Sequence, residues 1–141
     1  METLKMIRPK DKIMPFTTPI MEKDDMALLH SALIQNENTI IIVTQYADNI
    51  VNRFLEEVDV MSSGYVFFQL ELDIDPINNF MVPKHRYATQ DEKDDLTKRH
   101  IPFTKLPVLL MKDPIRRWYN FAPESIIAIE RKDKLYFRIC K

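Results

Sequence analysis

From Lys105 to Cys140 the chain runs KLPVLLMKDPIRRWYNFAPESIIAIERKDKLYFRIC. This segment contains no glycine, although it must turn several times. Its turns must therefore come from proline, asparagine and aspartate, which favour turns for steric and hydrogen-bonding reasons. Asp113-Pro114 reads as a helix start. Aspartate can cap the first free amides, and proline at the first helical position loses no hydrogen bond. One or two turns follow, carrying Arg116, Arg117, Trp118 and Tyr119. SIIAIERK (125–132) and KLYFRIC (134–140) then read as two strands joined tightly near Lys132-Asp133, an antiparallel hairpin. LPVLLM (106–111) is a short apolar segment.

Working outward, ATQDEKDDLTKRH (88–100) opens with a capping box. The Thr89 hydroxyl can accept from the Glu92 amide while the Glu92 carboxylate accepts from the Thr89 amide. Pro76 to Met81 breaks the pattern and reads as a boundary. Before it, MEKDDMALLHSALIQ (21–35) places Met26, Leu29 and Leu33 on one helical face. TIIIVT (39–44) is a β-branched strand, and Asp48 is placed to cap a second helix with Ile50, Val51, Phe54, Leu55 and Val58 as its apolar stripe. After the Ser62-Ser63-Gly64 turn, YVFFQLELDID (65–75) alternates like a half-buried strand. Residues 1–20, with three prolines, read as an extended arm. The predicted fold is α+β: a small βαβ-type N-terminal module over 21–80, then a compact C-terminal domain over 81–141 built of short helices and an antiparallel hairpin.

A chain of 141 residues that is 45% hydrophobic can bury a core. Net charge is −1, but residues 1–81 hold 6 Lys and Arg against 13 Asp and Glu, and residues 82–141 hold 14 against 8. Opposite signs imply different neighbours for the two halves. Cys140 is the only cysteine, which excludes an intrachain disulfide and a cysteine-based zinc site. The apolar runs are too short to span a bilayer, and nothing reads as a signal peptide, so no membrane partner and a soluble intracellular location are expected.

Few residues suggest catalysis. Gly64 is the only glycine, so no glycine-rich phosphate loop exists. Glu71, Asp73 and Asp75 read as the wet face of a strand rather than a metal site. Asp113 with Glu130 and Lys132 echoes magnesium-dependent nucleases, although those place proline before the aspartate. No cofactor, metal or small-molecule ligand is expected. Trp118 and Tyr119 read as core anchors, with Arg116 and Arg117 reaching outward to a partner.

These residues carry a resemblance. Val82-Pro83-Lys84-His85, the helix from Thr89, Leu106-Pro107, the box Asp113, Pro114, Arg117 and Tyr119, and the final Tyr136, Phe137 and Arg138 are similar to the C-terminal domain of the RNA polymerase H family. That family comprises the archaeal H-type subunits and the fifth subunit shared by eukaryotic nuclear polymerases, and large DNA viruses also carry it. The chain departs from the pattern at Asn120, which stands in place of glycine, and at Glu124-Ser125, where a glycine turn is usual. Glutamate resists positive φ, which predicts a type I turn there. The resemblance implies a non-catalytic subunit of a multisubunit DNA-dependent RNA polymerase, in the nucleus or, for a shortened viral member, in a viral factory or virion. It implies docking on the largest subunit at the lower jaw among other polymerase subunits, with downstream DNA nearby. The residues implied at that interface are Pro83, Lys84, His85, Asp113, Pro114, Arg116, Arg117, Tyr119, Arg131 and Arg138. Alternatives are a free-standing adaptor that recruits polymerase or a regulator, and the magnesium nuclease.

Overall fold

The computed structural model describes residues 1–141, and every side chain except those of Val60 and Met61. It is α+β, with two sheets and several short helices. The first sheet has three parallel strands in the order β1 (Lys12–Phe16), β2 (Thr39–Val43), β3 (Val66–Phe68). Helix α1 (Glu2–Ile7) precedes β1, α2 (Met26–Gln35) joins β1 to β2, and α3 (Asp48–Glu57) with the short α4 (Val60–Ser63) joins β2 to β3.

Strand alternation sorts this sheet into two faces. Ile41, Val43, Val66 and Phe68 pack on Met26 and Leu29 of α2 and on Ile50 and Phe54 of α3. Ile40, Ile42 and Phe67 pack on Leu4 of α1 and on Trp118, far along the chain. A parallel sheet covered on both faces needs apolar residues at every position, which explains the unbroken Ile40-Ile41-Ile42-Val43 run.

Two expectations fail here. Residues 1–20 are not an extended arm, because α1 and β1 lie within them and both Leu4 and Ile20 are fully buried. Thr3 also donates to Asp75 at 2.6 Å. Nor does YVFFQLELDID run as one strand. It ends at Phe68 and turns into α5 (Gln69–Leu72), leaving Leu70 and Ile74 exposed. The physical reason is Glu71, whose carboxylate accepts from the Phe68 amide at 2.9 Å and so starts the helix. A smaller difference concerns Asp48, which sits inside the first turn of α3 and makes no capping bond.

The second sheet has the order β4 (Lys84–Tyr87), β6 (Ile126–Arg131), β7 (Lys134–Cys140), β5 (Val108–Leu109). It is antiparallel except for β5, which runs parallel to β7. Helix α6 (Gln90–Lys98) covers one face through Leu96, against Ala128, Ile126 and Ile139. Its capping box is present, with Glu92 N–H to Thr89 Oγ1 at 3.3 Å and Thr89 N–H to Glu92 Oε2 at 2.8 Å. Helix α7 (Pro114–Tyr119) covers the other face through Ile115, against Ile127, Leu109 and Cys140. Asp113 caps it through the Ile115 amide at 2.9 Å.

Asn120 ends α7 in the left-handed conformation, φ 51° and ψ 47°, as its side chain tolerates. Glu124 does not adopt a type I geometry. Its φ is 60°, and its amide is tied to the Cys140 carbonyl at 2.9 Å, so a ladder-like bond at the sheet end outweighs the local preference.

Candidate partner interface

The register of the second sheet collects the side chains that a partner can meet. His85, Ile129 and Tyr136 stand in one row across β4, β6 and β7, and Tyr87, Ile127 and Arg138 in the next row of the same face. Arg131 returns to that face two residues after Ile129. Helix α7 packs on it too, so Asp113 lies near enough to act on the charge of His85, as Arg131 and Arg138 do.

His85 Nδ1 lies 2.7 Å from the Pro83 carbonyl, which only accepts, so this nitrogen carries the proton. Burial pushes the imidazole pKa down. The Pro83 carbonyl and Asp113 oppose that shift, and Arg138 and Arg131 add to it. The fold thus brings Pro83, His85, Asp113, Arg131 and Arg138 to one side. Pro114 is exposed at the start of α7, and Tyr119 stacks on Phe121 with ring centroids 4.9 Å apart and an interplanar angle of 7°.

Lys84 points to the opposite face, 4.0 Å from Glu130. On that face Arg86 binds β6 and α6 together. It reaches Glu130 at 2.7 Å and Glu92 at 2.9 and 2.7 Å in a bidentate fork. Its guanidinium, above all by direct hydrogen bonding, holds the Glu92 carboxyl down to about 2.

Arg116 and Arg117 are corrected most sharply. They do not reach outward; they are 3% and 4% exposed. Arg116 turns into its own domain, where it donates to the carbonyls of Leu109 at 3.2 Å, Phe121 at 3.4 Å and Lys141. Arg117 crosses to the first sheet. It donates to the Ser63 carbonyl at 3.1 Å and the Val66 carbonyl at 2.6 Å, forms a bidentate pair with Glu71, and stacks on Phe67 at 5.1 Å. Trp118 beside it is 2% exposed and meets Phe67 edge to face at 6.1 Å. Gly64 permits this approach, since a Cβ there would collide with Asn120 Oδ1. Of the three acids expected on a strand face, Glu71 is engaged by Arg117 and Asp75 by Thr3 and the amides of Ile77 and Asn78, while Asp73 is exposed.

The nuclease set does not assemble. Glu130 faces Arg86 and Lys84 on one side of the sheet, while Asp113 caps α7 on the other. Among the described residues, no group of three His, Cys, Asp or Glu is arranged to hold a metal. No described helix is long and apolar enough to cross a membrane.

Sequence reasoning missed Phe80 and Met81, which are 94% and 73% exposed and border a groove with Pro83, Arg131, Lys132 and Tyr136. The signal was present. Two large apolar residues stand together in an otherwise polar, proline-broken connection, where no core periodicity accounts for them.

Comparison with known proteins bears on this domain. The family model for the RNA polymerase Rpb5 C-terminal domain matches residues 74–140. The chain is 39% identical over 64 residues to DNA-directed RNA polymerase subunit Rpo5 of Saccharolobus shibatae, a match covering 45% of this chain and 76% of that relative. It is 27% identical over 120 residues to DNA-directed RNA polymerases IV and V subunit 5B of Arabidopsis thaliana, covering 84% of this chain and 55% of that relative. To the Dictyostelium discoideum subunit rpabc1 of DNA-directed RNA polymerases I, II and III it is 25% identical over 104 residues, covering 70% and 52%. The chain thus spans about half the length of these two eukaryotic relatives, and most of the archaeal one. Through its second sheet and the helices that cover it, the chain belongs to the RNA polymerase Rpb5/Rpo5 family.

Proposed function

We propose that this chain is a non-catalytic subunit of a multisubunit DNA-dependent RNA polymerase, docked on the largest subunit at the lower jaw, near downstream DNA. The observation that carries the reading is a coincidence of place. The domain that matches the family model keeps an apolar and basic face exposed although its own core is closed. The docking surface comprises Pro83, His85, Asp113, Pro114, Arg131 and Arg138, with Lys84 at its margin and Tyr119 beneath. Arg116 and Arg117 support it from inside. The excess of basic residues in this half suits an acidic counterpart. The acidic N-terminal half, −7 over residues 1–81, is unsuited to tight phosphate binding, so it shapes the approach to DNA or meets a protein. Its place of work is wherever that polymerase acts, a nucleus or a viral factory.

The test is stoichiometric co-migration of a tagged chain with polymerase through sizing chromatography. Arg131→Glu with Arg138→Glu should weaken the association in a protein that still melts cooperatively. A wild-type chain that elutes alone from cells rich in its polymerase would overturn the assignment.

A further inference from the structure

Each sheet edge presents outward peptide groups that must be satisfied, blunted or left open. In the first sheet both edges are blunted, although the Ile13 N–H and C=O and the Val66 N–H still face outward. Lys12 N–H bonds to Asn38 O and Thr44 N–H to Phe16 O, so Ile13 and Pro15 turn outward, and proline has no N–H to offer. Ile41 N–H bonds to Tyr65 O, so Val66 and Phe68 turn outward on β3. There Arg117 occupies the Val66 carbonyl and Glu71 the Phe68 amide, so the ion pair substitutes for a neighbouring strand. In the second sheet β5 has only two residues.

The edge of β4 differs. Ala88 N–H bonds to Ile126 O at 2.9 Å, which puts Arg86 and Lys84 inward and His85 and Tyr87 outward. The Tyr87 carbonyl accepts from Arg86 at 3.2 Å. The His85 N–H, the His85 C=O and the Tyr87 N–H have no partner within the chain, among the described residues. At the Lys84 end this edge runs into the groove bordered by Phe80, Met81 and Arg131.

We propose that the free edge of β4 is a strand-addition site for an extended, acidic segment of a partner protein. The inference rests on the docking reading above and narrows it to one mode and one chemistry. The donor-acceptor-donor row fits a polypeptide backbone, which alternates the same groups at the same spacing. The sign of the partner follows from the side chains. Arg131, Lys132 and Lys134 are exposed and, among the described residues, have no carboxylate in salt-bridge range, whereas Glu130 is already bound by Arg86. Asp133 is the one uncommitted acid among the described residues of the groove. Phe80 and Met81 supply apolar surface for alternate side chains of the incoming strand.

The deciding experiment uses the full chain labelled with nitrogen-15, titrated with two synthetic octapeptides. One alternates valine with glutamate, the other valine with lysine. The glutamate peptide should move the His85 and Tyr87 amide signals and bind at least about tenfold more tightly than the lysine peptide, a difference of about 1.4 kcal/mol. His85→Pro removes an outward N–H without breaking a ladder bond, so it should abolish binding. His85→Phe changes the same side chain but retains the N–H, so it should bind the glutamate peptide clearly more tightly than His85→Pro does. Still amides at millimolar glutamate peptide, equal affinity for both peptides, or unchanged binding by His85→Pro would each overturn the proposal. So would a DNA duplex that moves the same amides more strongly than either peptide. Failure of the chain to join polymerase would sink the docking reading separately, because the peptide result does not depend on it.

Discussion

The two sheets differ in what they require from the rest of the chain. The second sheet draws its two cores from residues from Ile77 onward, Ile77 itself being shared with the first sheet. The first closes one face only by taking Trp118, and one edge only by taking Arg117, both from α7. The two sheets therefore share one short helix, α7, whose adjacent arginines divide the labour: Arg116 braces the second sheet's side and Arg117 reaches across to the first. Sequence neighbours with the same charge hold different structures together.

Removing the crossing arginine should break this arrangement most. Arg117→Ala removes the charged partner of Glu71 and the side-chain donor to the Val66 carbonyl, which costs about 3–5 kcal/mol for a buried pair broken on one side. Hydrogen exchange at Ile40–Val43 should rise strongly while exchange at Ile126–Ile129 stays slow. Equal loss in both strands would mean that the two sheets unfold as one unit.

Gly64→Ala tests the same seam by crowding it. The new Cβ collides with Asn120, and overpacking of this kind costs about 1–3 kcal/mol. Asn120→Gly should recover most of that loss, because glycine suits the left-handed φ and removes the colliding side chain. Denaturation midpoints of the two single variants and the double variant give the coupling, and strict additivity would show that the residues do not meet.

On the second sheet's side, acid should act through Glu92. Its native pKa of about 2 lies below the ordinary 4.5, so the stability it contributes is complete above about 4.5 and is lost as pH falls toward 2. Urea midpoints at pH 7 and pH 3 should diverge in the wild type and diverge less in Glu92→Gln, where Asp25, Asp75 and Glu130 still lose stabilising partners in acid. The smallest effect is expected for Thr89→Ala, about 1 kcal/mol from loss of the cap. It should lower protection in α6 and leave Ile40–Val43 untouched, which sharpens the contrast between the halves.

Much of the second half was legible in the sequence because its signals are local. Thr89 with Glu92, Asp113 with Pro114, and the paired runs 126–131 and 134–140 each carry their own start or turn within a few residues. The first half was less legible because its determinants are distant. The alternation of residues 65–75 looked like a strand until Glu71, engaged by Arg117 forty-six positions away, turned it into a helix. The prolines at 9, 15 and 19 suggested an arm, yet Pro15 lies on an outer edge where a missing N–H is harmless. The basic pair in α7 misled for the same reason. Arginines beside an aromatic cluster look like an exposed patch until the carbonyls of another module are brought against them.

The position of Trp118 in the first core also has a consequence for how the protein is made. A ribosome delivers β1, β2 and β3 well before residue 118 leaves the exit tunnel. Until then the Ile40, Ile42 and Phe67 face has no lid from α7, and Val66 keeps an unanswered carbonyl. The half that is synthesised first should therefore be completed last, with an apolar sheet face exposed to chaperones in the interval. Stalled nascent chains that expose residues 1–75 while residue 118 is still inside the tunnel should be cut readily by protease within 39–68. Chains long enough to free residue 120 should resist.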